Sequence, residues 1–487
     1  MKLFPAIALA LCLPGLACGA AESRDFWIEN VTIVSPERTA PLPGASVRIK
    51  DERIVSISSG KRTAAKHVID GTGLFLTPGL IDSHVHLYEI PGMNPAQEQA
   101  HPDIVRSARA QFPKSYLYFG FTTLIDLISM PVAMQQWNSA ATHPDTYFCG
   151  GAPVQDGYPS NFVPQPLRYQ YLPYFLTEPA NGASLPAGTN AADHTPEGIV
   201  RRMKADGAIC VKAFFEHGFG GAHDLPVPRL ETLQALVRAA HAAGMPVLFH
   251  ANSTEAQALG VAARVDIFTH AQWNWDTPDT DLSPAVRKIL DAQLQNKRGL
   301  QSTIQVLYGE RDLFDPSFLD RPQLARALPG SLIAWYKTAE GQWFHDELAK
   351  HIVDKPGDIP HDVDANAIAR ANNCVAYLAK NHARLLFGSD TPSSPTYANP
   401  PGLNGRMEIR DLAAAGVTPE QIFRAATVAN ADAFGLSADV GTVEVGKRAN
   451  LLLLHADPSK TVAAYDGIEK IILRGQVLDP HDLAANR

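Results

Sequence analysis

From Phe26 to Thr77 apolar and polar residues alternate, as in "FWIENVTIV" and "GASVRIKDERIVSISSG". A period of two marks strands that bury one face, and "KDER" interrupts the second run as a turn. A sheet of about fifty residues closes its own core with difficulty. From Leu80 the pattern changes to short apolar runs separated by helical periodicity. The strand candidates are "LIDSHVHL", "TTLIDL" (Thr122 to Leu127), "TYFCGGAP", "AICVKAFF", "PVLFHA", "DIFTHAQ", "LQSTIQVL" and "RLLFGSD". Between them, "RLETLQALVRAAHAAG" places Leu230, Leu233, Val237 and Ala240 on one helical face and stops at Gly244. "TPEQIFRAATVANADAFG" opens with Thr418 as N-cap, Pro419 in the first turn and Gln421 completing a capping box. Eight strand candidates alternating with helices predict an α/β fold, a (β/α)8 TIM-type barrel. The tail, "GTVEVGKRANLLLLHADP" and "EKIILRGQVLD", returns to short strands and turns. Both chain ends are therefore expected to pair into a small flanking β-sandwich domain, residues 22–75 with 436–487, beside a barrel spanning 76–435.

Two stretches break the rhythm. Val154 to His194 is rich in Pro, Gly, Asn and Tyr, and Tyr308 to Lys355 is a long insertion after the seventh strand candidate. Loops of such length usually form lids or binding segments. Trp335, Tyr336, Trp343 and Phe344 in the second favour an ordered cover.

Composition narrows the setting. Residues 1–21, within "MKLFPAIALALCLPGLACGAAES", read as an export signal: Lys2, an apolar stretch, then small residues from Ala17 to Ala21. The apolar part falls short of the ~20 residues of a membrane span. "GLAC" resembles a bacterial lipobox, which would attach lipid at Cys18, but Gly15 stands where that motif prefers Leu. Simple export, to the periplasm or the medium, is the expectation. Beyond the signal only Cys149, Cys210 and Cys374 remain, which is no disulfide framework. A net charge of −8 without a basic run excludes a nucleic-acid binder, and no second apolar run reaches membrane length. The expected partners are a small-molecule substrate and further copies of the same chain.

The chemistry centres on "LTPGLIDSHVHLYE", where His84 and His86 lie two apart and so share one side of a strand. Active sites of α/β barrels lie at the C-terminal strand ends, and polar residues recur there. Lys212 lies in "ICVKAFF", His250 ends "VLFH", His270 ends "IFTH" and Asp390 ends "LLFGSD". Each alone has an ordinary reading: a satisfied core imidazole, a helix-capping aspartate, a lysine snorkelling to the barrel end. Together they point to a metal site. A lone lysine in an apolar strand tends to lose its charge, and a neutral amine can take up carbon dioxide as a carbamate able to bridge two cations. Nitrogen and carboxylate donors without thiolate suit zinc or manganese-like ions with open positions. Glu216 faces the same way and is a weaker candidate; His217 and His382 read as structural or surface residues.

The order "HVH", "VKAFF", "FHA", "FTHA" and "GSD", with "LTPGLIDSHVHL" before it and "GTVEVGKRANLLLL" after it, resembles the amidohydrolase superfamily, near its imidazolonepropionase-like and prolidase-like members. The likeness runs from about Phe26 to the end, with Asn450 where the family usually has Asp. It implies that His84, His86 and Asp390 hold one divalent ion, most simply zinc, that His250 and His270 hold a second, and that carbamylated Lys212 bridges them. Metal-activated hydroxide would attack a carbonyl, while Asp390 moves the proton to the leaving nitrogen. The implied activity is hydrolysis of an amide bond in a small substrate such as an N-acyl amino acid or dipeptide. A lactonase, esterase or phosphoesterase using the same ions is the alternative, and a non-catalytic barrel the third.

Overall fold

A computed structural model of the chain describes residues 25–59, 67–178, 185–218, 223–352, 364–393 and 395–486. The expected export signal and Cys18 lie outside the described residues, as do 179–184 and 353–355 of the two insertions.

Strands β1 (Asp25–Ile33), β2 (Leu42–Lys50), β3 (Arg53–Ser59), β4 (Val68–Asp70) and β5 (Phe75–Pro78) come first. The barrel follows: β6 (Leu80–Val85), β7 (Phe121–Asp126), β8 (Asp145–Ala152), β9 (Cys210–Phe214), β10 (Val247–His250), β11 (Ile267–Thr269), β12 (Gly299–Gln301) and β13 (Arg384–Leu386). These eight are parallel neighbours in sequence order. The last meets the first through Ser83 N to Phe387 O at 3.1 Å, His86 N to Thr391 O at 2.7 Å and Asp390 N to His84 O at 2.7 Å. Every strand foreseen in the barrel is present.

One boundary moved. In "LQSTIQVL" only the start is strand, and Gln305–Asp312 is a helix. The carboxylate of Glu408, about a hundred residues away, accepts from Ser302 Oγ at 2.9 Å and from the backbone nitrogens of Ile304 at 3.2 Å and Gln305 at 2.7 Å. The helix start is thus capped by a distant residue, which local periodicity does not register. The helix Leu230–Ala242 buries Leu233, Val237 and Ala240, and the capping box of Thr418 and Gln421 is present.

The chain ends form one sheet of order β16-β15-β14-β5-β1-β2-β3, with β14 (Leu451–Leu454), β15 (Ile468–Leu473) and β16 (Gln476–Leu478) supplied by the C-terminal segment. The uninterrupted leucines of β14 follow from its burial on both sides. Leu451 and Leu453 join Ile28, Val47 and Leu76 in the terminal sheet's core, while Leu452 and Leu454 pack into the large cluster shared with the barrel. Asn450 is explained here: its Nδ2 donates to Asp145 Oδ2 at 2.7 Å, at the base of β8, beside Arg448 and Arg474. An aspartate there would set two carboxylates face to face.

Three further differences concern the insertions and the cysteines. Residues 308–352 form short helices, Leu324–Ala327, Gly330–Tyr336 and Trp343–Ile352, rather than a loop. Their aromatics fill the core: Tyr336 is fully buried with its hydroxyl on Pro91 O at 2.5 Å, and Trp343 Nε1 donates to Gly92 O at 2.9 Å. They clamp the segment after the His84/His86 strand instead of offering an aromatic lining. Finally, Cys149 and Cys210, register partners on β8 and β9, are joined by a disulfide, so the cysteines are not all unpaired. No helix among the described residues is long and apolar enough to cross a membrane.

Candidate metal centre

Strand alternation places Lys212 on β9 and His250 on β10 inside the barrel, one residue-pair beyond Cys210 and Leu248. His84 reaches the same cup from β6, with His86 just past that strand's end, and His270 and Asp390 just past the ends of β11 and β13. All four histidine rings converge. His84 Nε2 lies 3.1 Å and His86 Nε2 3.0 Å from Asp390 Oδ1, and His270 Nε2 lies 2.8 Å from His250 Nδ1. His270 Nδ1 is 3.8 Å from Asp390 Oδ2, which links the two pairs. Ligand atoms of His84, His270 and Asp390 lie within 4.8 Å of one another. The four histidines and Asp390 therefore meet in one cup, with Lys212 close enough to feel the charge of Asp390 and Glu216 against the far nitrogen of His250.

The turns that aim these groups are strained. His270 has φ +82°, Asp390 φ +56° and Thr303 φ +47°. A β-branched residue with positive φ is a real outlier, and such residues persist where the surroundings over-determine them, often at functional sites. Thr303 Oγ1 sits 2.8 Å from His270 Nδ1. Gly388 is required by close approach, since a Cβ there would lie 2.6 Å from that of His84.

Lys212 is 1% exposed, and its amine donates to Thr269 Oγ1. Burial lowers its pKa to about 7, against the opposing pull of Asp390. Burial likewise takes His84 down to about 3 and His270 well below its ordinary value. Asp390 goes the other way: burial alone would raise it, but His84 and His86 hold it well below the usual carboxylate range.

These groups fit divalent-cation binding by donor type, with His84, His270 and Asp390 the closest set. His84 Nε2 and His86 Nε2 face Asp390 Oδ1, and His250 Nδ1 faces His270 Nε2; in neutral imidazole, the metal-binding form, these nitrogens would offer lone pairs to a cation in place of those contacts. His84 Nδ1 has no hydrogen-bond partner although buried. Inside a protein such unsatisfied polar atoms are costly.

Four supporting residues escaped the sequence reading. Asp82 accepts from His84 N at 3.2 Å and Ser389 N at 3.0 Å, tying the first strand to the last; burial pushes its carboxyl to about 7. Its signal was available, because it continues the same-face spacing of His84 and His86. Thr303, Asn252 and Tyr158 carried none. Tyr158, from the first insertion, packs its ring 4.7 Å from that of His250, with Phe214 at 6.0 Å and Phe162 at 5.9 Å. Trp273 lies 5.4 Å from His270 on the other side.

Residues 75–269 and 316–478 match the family described as Amidohydrolase family. Among curated proteins, the chain is 39% identical over 106 residues to a dihydroorotase of Thermus aquaticus, covering 21% of this chain and 20% of that one. It is 38% identical over 66 residues to an adenine deaminase of Desulforamulus reducens, covering 14% and 11%. The matches thus span a fifth or less of those relatives' lengths. Among solved structures, a Xaa-Pro dipeptidase with bound methionine superposes with TM-score 0.62 at 18% identity, over 93% of this chain and 100% of that one. A. niger ochratoxinase superposes with TM-score 0.63 at 16% identity, over 94% and 96%. At these identities the likeness is one of fold.

Proposed function

The chain belongs to the amidohydrolase family of hydrolytic enzymes, and from that premise we propose that it cleaves an amide bond of a small substrate in a metal-dependent reaction. The observation that carries this reading is the meeting of two histidine pairs on either side of one carboxylate, Asp390, at the C-terminal end of the barrel. His84, His86 and Asp390 would hold one divalent ion and His250 and His270 a second, with Lys212 as a carbamate between them. Zinc is the simplest assignment. When bound, such ions acidify water and polarise a carbonyl.

The remaining work falls to side chains. Asp390 lies against both sites and is kept ionised by its histidines, so it can accept a proton at Oδ1 or Oδ2 and return it to the leaving nitrogen. An amine departs poorly as an anion, which makes this return necessary for amides. Lys212 is buried with its amine turned to Thr269, a setting that favours the neutral form a carbamate requires. Tyr158, Phe214 and Trp273 give the mouth an apolar, aromatic border against which an acyl group can rest. N-acyl amino acids and dipeptides, Xaa-Pro types included, head the substrate list.

The test is a panel of paired amides and esters of the same acyl groups, presented to zinc-loaded protein. Turnover of amides that disappears with a chelator and returns with zinc is expected. Cleavage of the esters alone would move the assignment to an esterase, and metal-independent turnover would remove it. We also place the protein outside the cytoplasm, because the N-terminal segment reads as an export signal and a buried disulfide suits an oxidising compartment. Sequencing the N-terminus of the mature protein checks this: a start near residue 22 is expected, and an intact Met1 would oppose it.

A further inference from the structure

We propose that Glu216 is a positioning residue for the second ion, holding His250 in the one tautomer and orientation that turns its Nδ1 toward His270. The inference rests on the metal-dependent reading above and concerns a residue that does not itself enter the cup.

The argument follows the polarity of a hydrogen-bond chain. Asn274 Nδ2 donates to Asn252 Oδ1 at 3.3 Å, and Asn252 Nδ2 donates to Glu216 Oε2 at 2.9 Å. Gly218 N donates to Glu216 Oε1 at 3.2 Å. Glu216 Oε2 also faces His250 Nε2 at 3.4 Å. An ionised carboxylate only accepts, so His250 Nε2 must carry the hydrogen. A neutral imidazole has one N–H, which leaves Nδ1 as a bare lone pair, 2.8 Å from His270 Nε2. Tyr158 packs on the ring at 4.7 Å and limits its rotation.

Glu216 is poorly placed to be a ligand. It meets the imidazole nitrogen that points away from His270, and both its oxygens already receive protein donors. The pair is also local in the fold, since Phe214, two residues before Glu216, is the register partner of His250. A carboxylate behind a ligating histidine fixes the ring and raises its basicity, and losing one typically costs about 10–100-fold in metal affinity. The hydrogen bonds of Glu216 run to Gly218, His250 and Asn252 rather than to His84, His86 or Asp390, so the effect should fall mainly on one ion.

The experiment is a zinc titration of metal-free full-length protein, repeated with cobalt(II) so that each ion is followed by its visible absorption. Wild type, Glu216→Ala, Glu216→Gln and Asn252→Ala are compared, with melting of the metal-free forms as a folding control. In Glu216→Ala one ion should bind roughly 10–100-fold more weakly while the other keeps its affinity. Glu216→Gln retains an acceptor oxygen and should lose less, and Asn252→Ala less again; the cobalt band of the weakened ion should shift. Wild-type affinity for every ion in Glu216→Ala overturns the proposal. So does equal loss of both ions together with a lowered melting temperature, which is the mark of a purely structural role. If the wild type takes up one ion only, weakening of that ion in Glu216→Gln supports the proposal and no change overturns it. No substrate enters this readout, so a protein that shows the dependence yet cleaves no amide keeps the inference and loses the hydrolase reading.

Discussion

Inside the barrel Cys210, Leu248 and Ile267 belong to a sealed apolar floor with Ile125, Leu127 and Leu386. Two residues further along the same strands stand Lys212, His250 and Thr269, the polar wall of the cup. Both layers are buried, yet they do opposite things to stability. The floor removes apolar surface from water and leaves no polar atom to satisfy. The cup holds a lysine without a carboxylate partner in hydrogen-bond contact, a histidine nitrogen with no partner and three residues in left-handed backbone. Each such backbone costs on the order of 1–3 kcal/mol. A single layer of side chains therefore separates the part that keeps the barrel folded from the part that the folded barrel holds in place.

The comparison breaks most easily at the cup. Lys212→Ala should lose bound metal, and with it more than about 100-fold in activity, beyond the range of an outer-shell change. An excess of a short carboxylic acid should restore part of both. Metal content unchanged from wild type would show that no carbamate forms. Next in size, Asp390→Asn reloaded with metal should turn over about 100- to 10,000-fold more slowly, the usual span for loss of a positioned acid–base group. Wild-type rates from that variant on the true substrate would take the proton-transfer role away.

The floor should respond in stability instead. Leu248→Ala removes a fully buried side chain and should cost about 2–5 kcal/mol in denaturant unfolding, with metal content per folded molecule retained. Smallest and opposite in sign, Lys212→Met should stabilise the metal-free protein by roughly 0.5–2 kcal/mol while abolishing activity, a trade-off common at functional sites. A fall in stability would mean that the lysine serves the fold and the division between layers is wrong.

Much of this was legible beforehand, and the reasons differ by residue. The barrel strands showed because each is a short apolar run between helical periods. The cup showed because His84, His86, Lys212, His250, His270 and Asp390 are costly residues at strand ends, where composition alone would place Val or Leu. Thr303 and Asn252 were invisible because threonine and asparagine are ordinary after a strand; only contact with a histidine's outer nitrogen, or with the carboxylate behind it, gives them meaning. The second insertion is ordered, as expected, but the part its aromatics play was not legible. Its aromatics look alike whether they cover a site or fill a core, and the choice depends on Pro91, Gly92 and Tyr397, far away in sequence.

The amino-acid order by itself determined the periodicities, the helix caps such as Thr418 with Gln421, and the supply of nitrogen and oxygen donors at strand ends. These are local properties, set within a few residues by backbone geometry and side-chain type. Only tertiary structure decided which nitrogen of each histidine faces inward, that Cys149 bonds Cys210, and that Glu216 stands behind the cup rather than within it. Those outcomes depend on angles and distances of a few ångströms between strands dozens to hundreds of residues apart, and closing the barrel is what sets them.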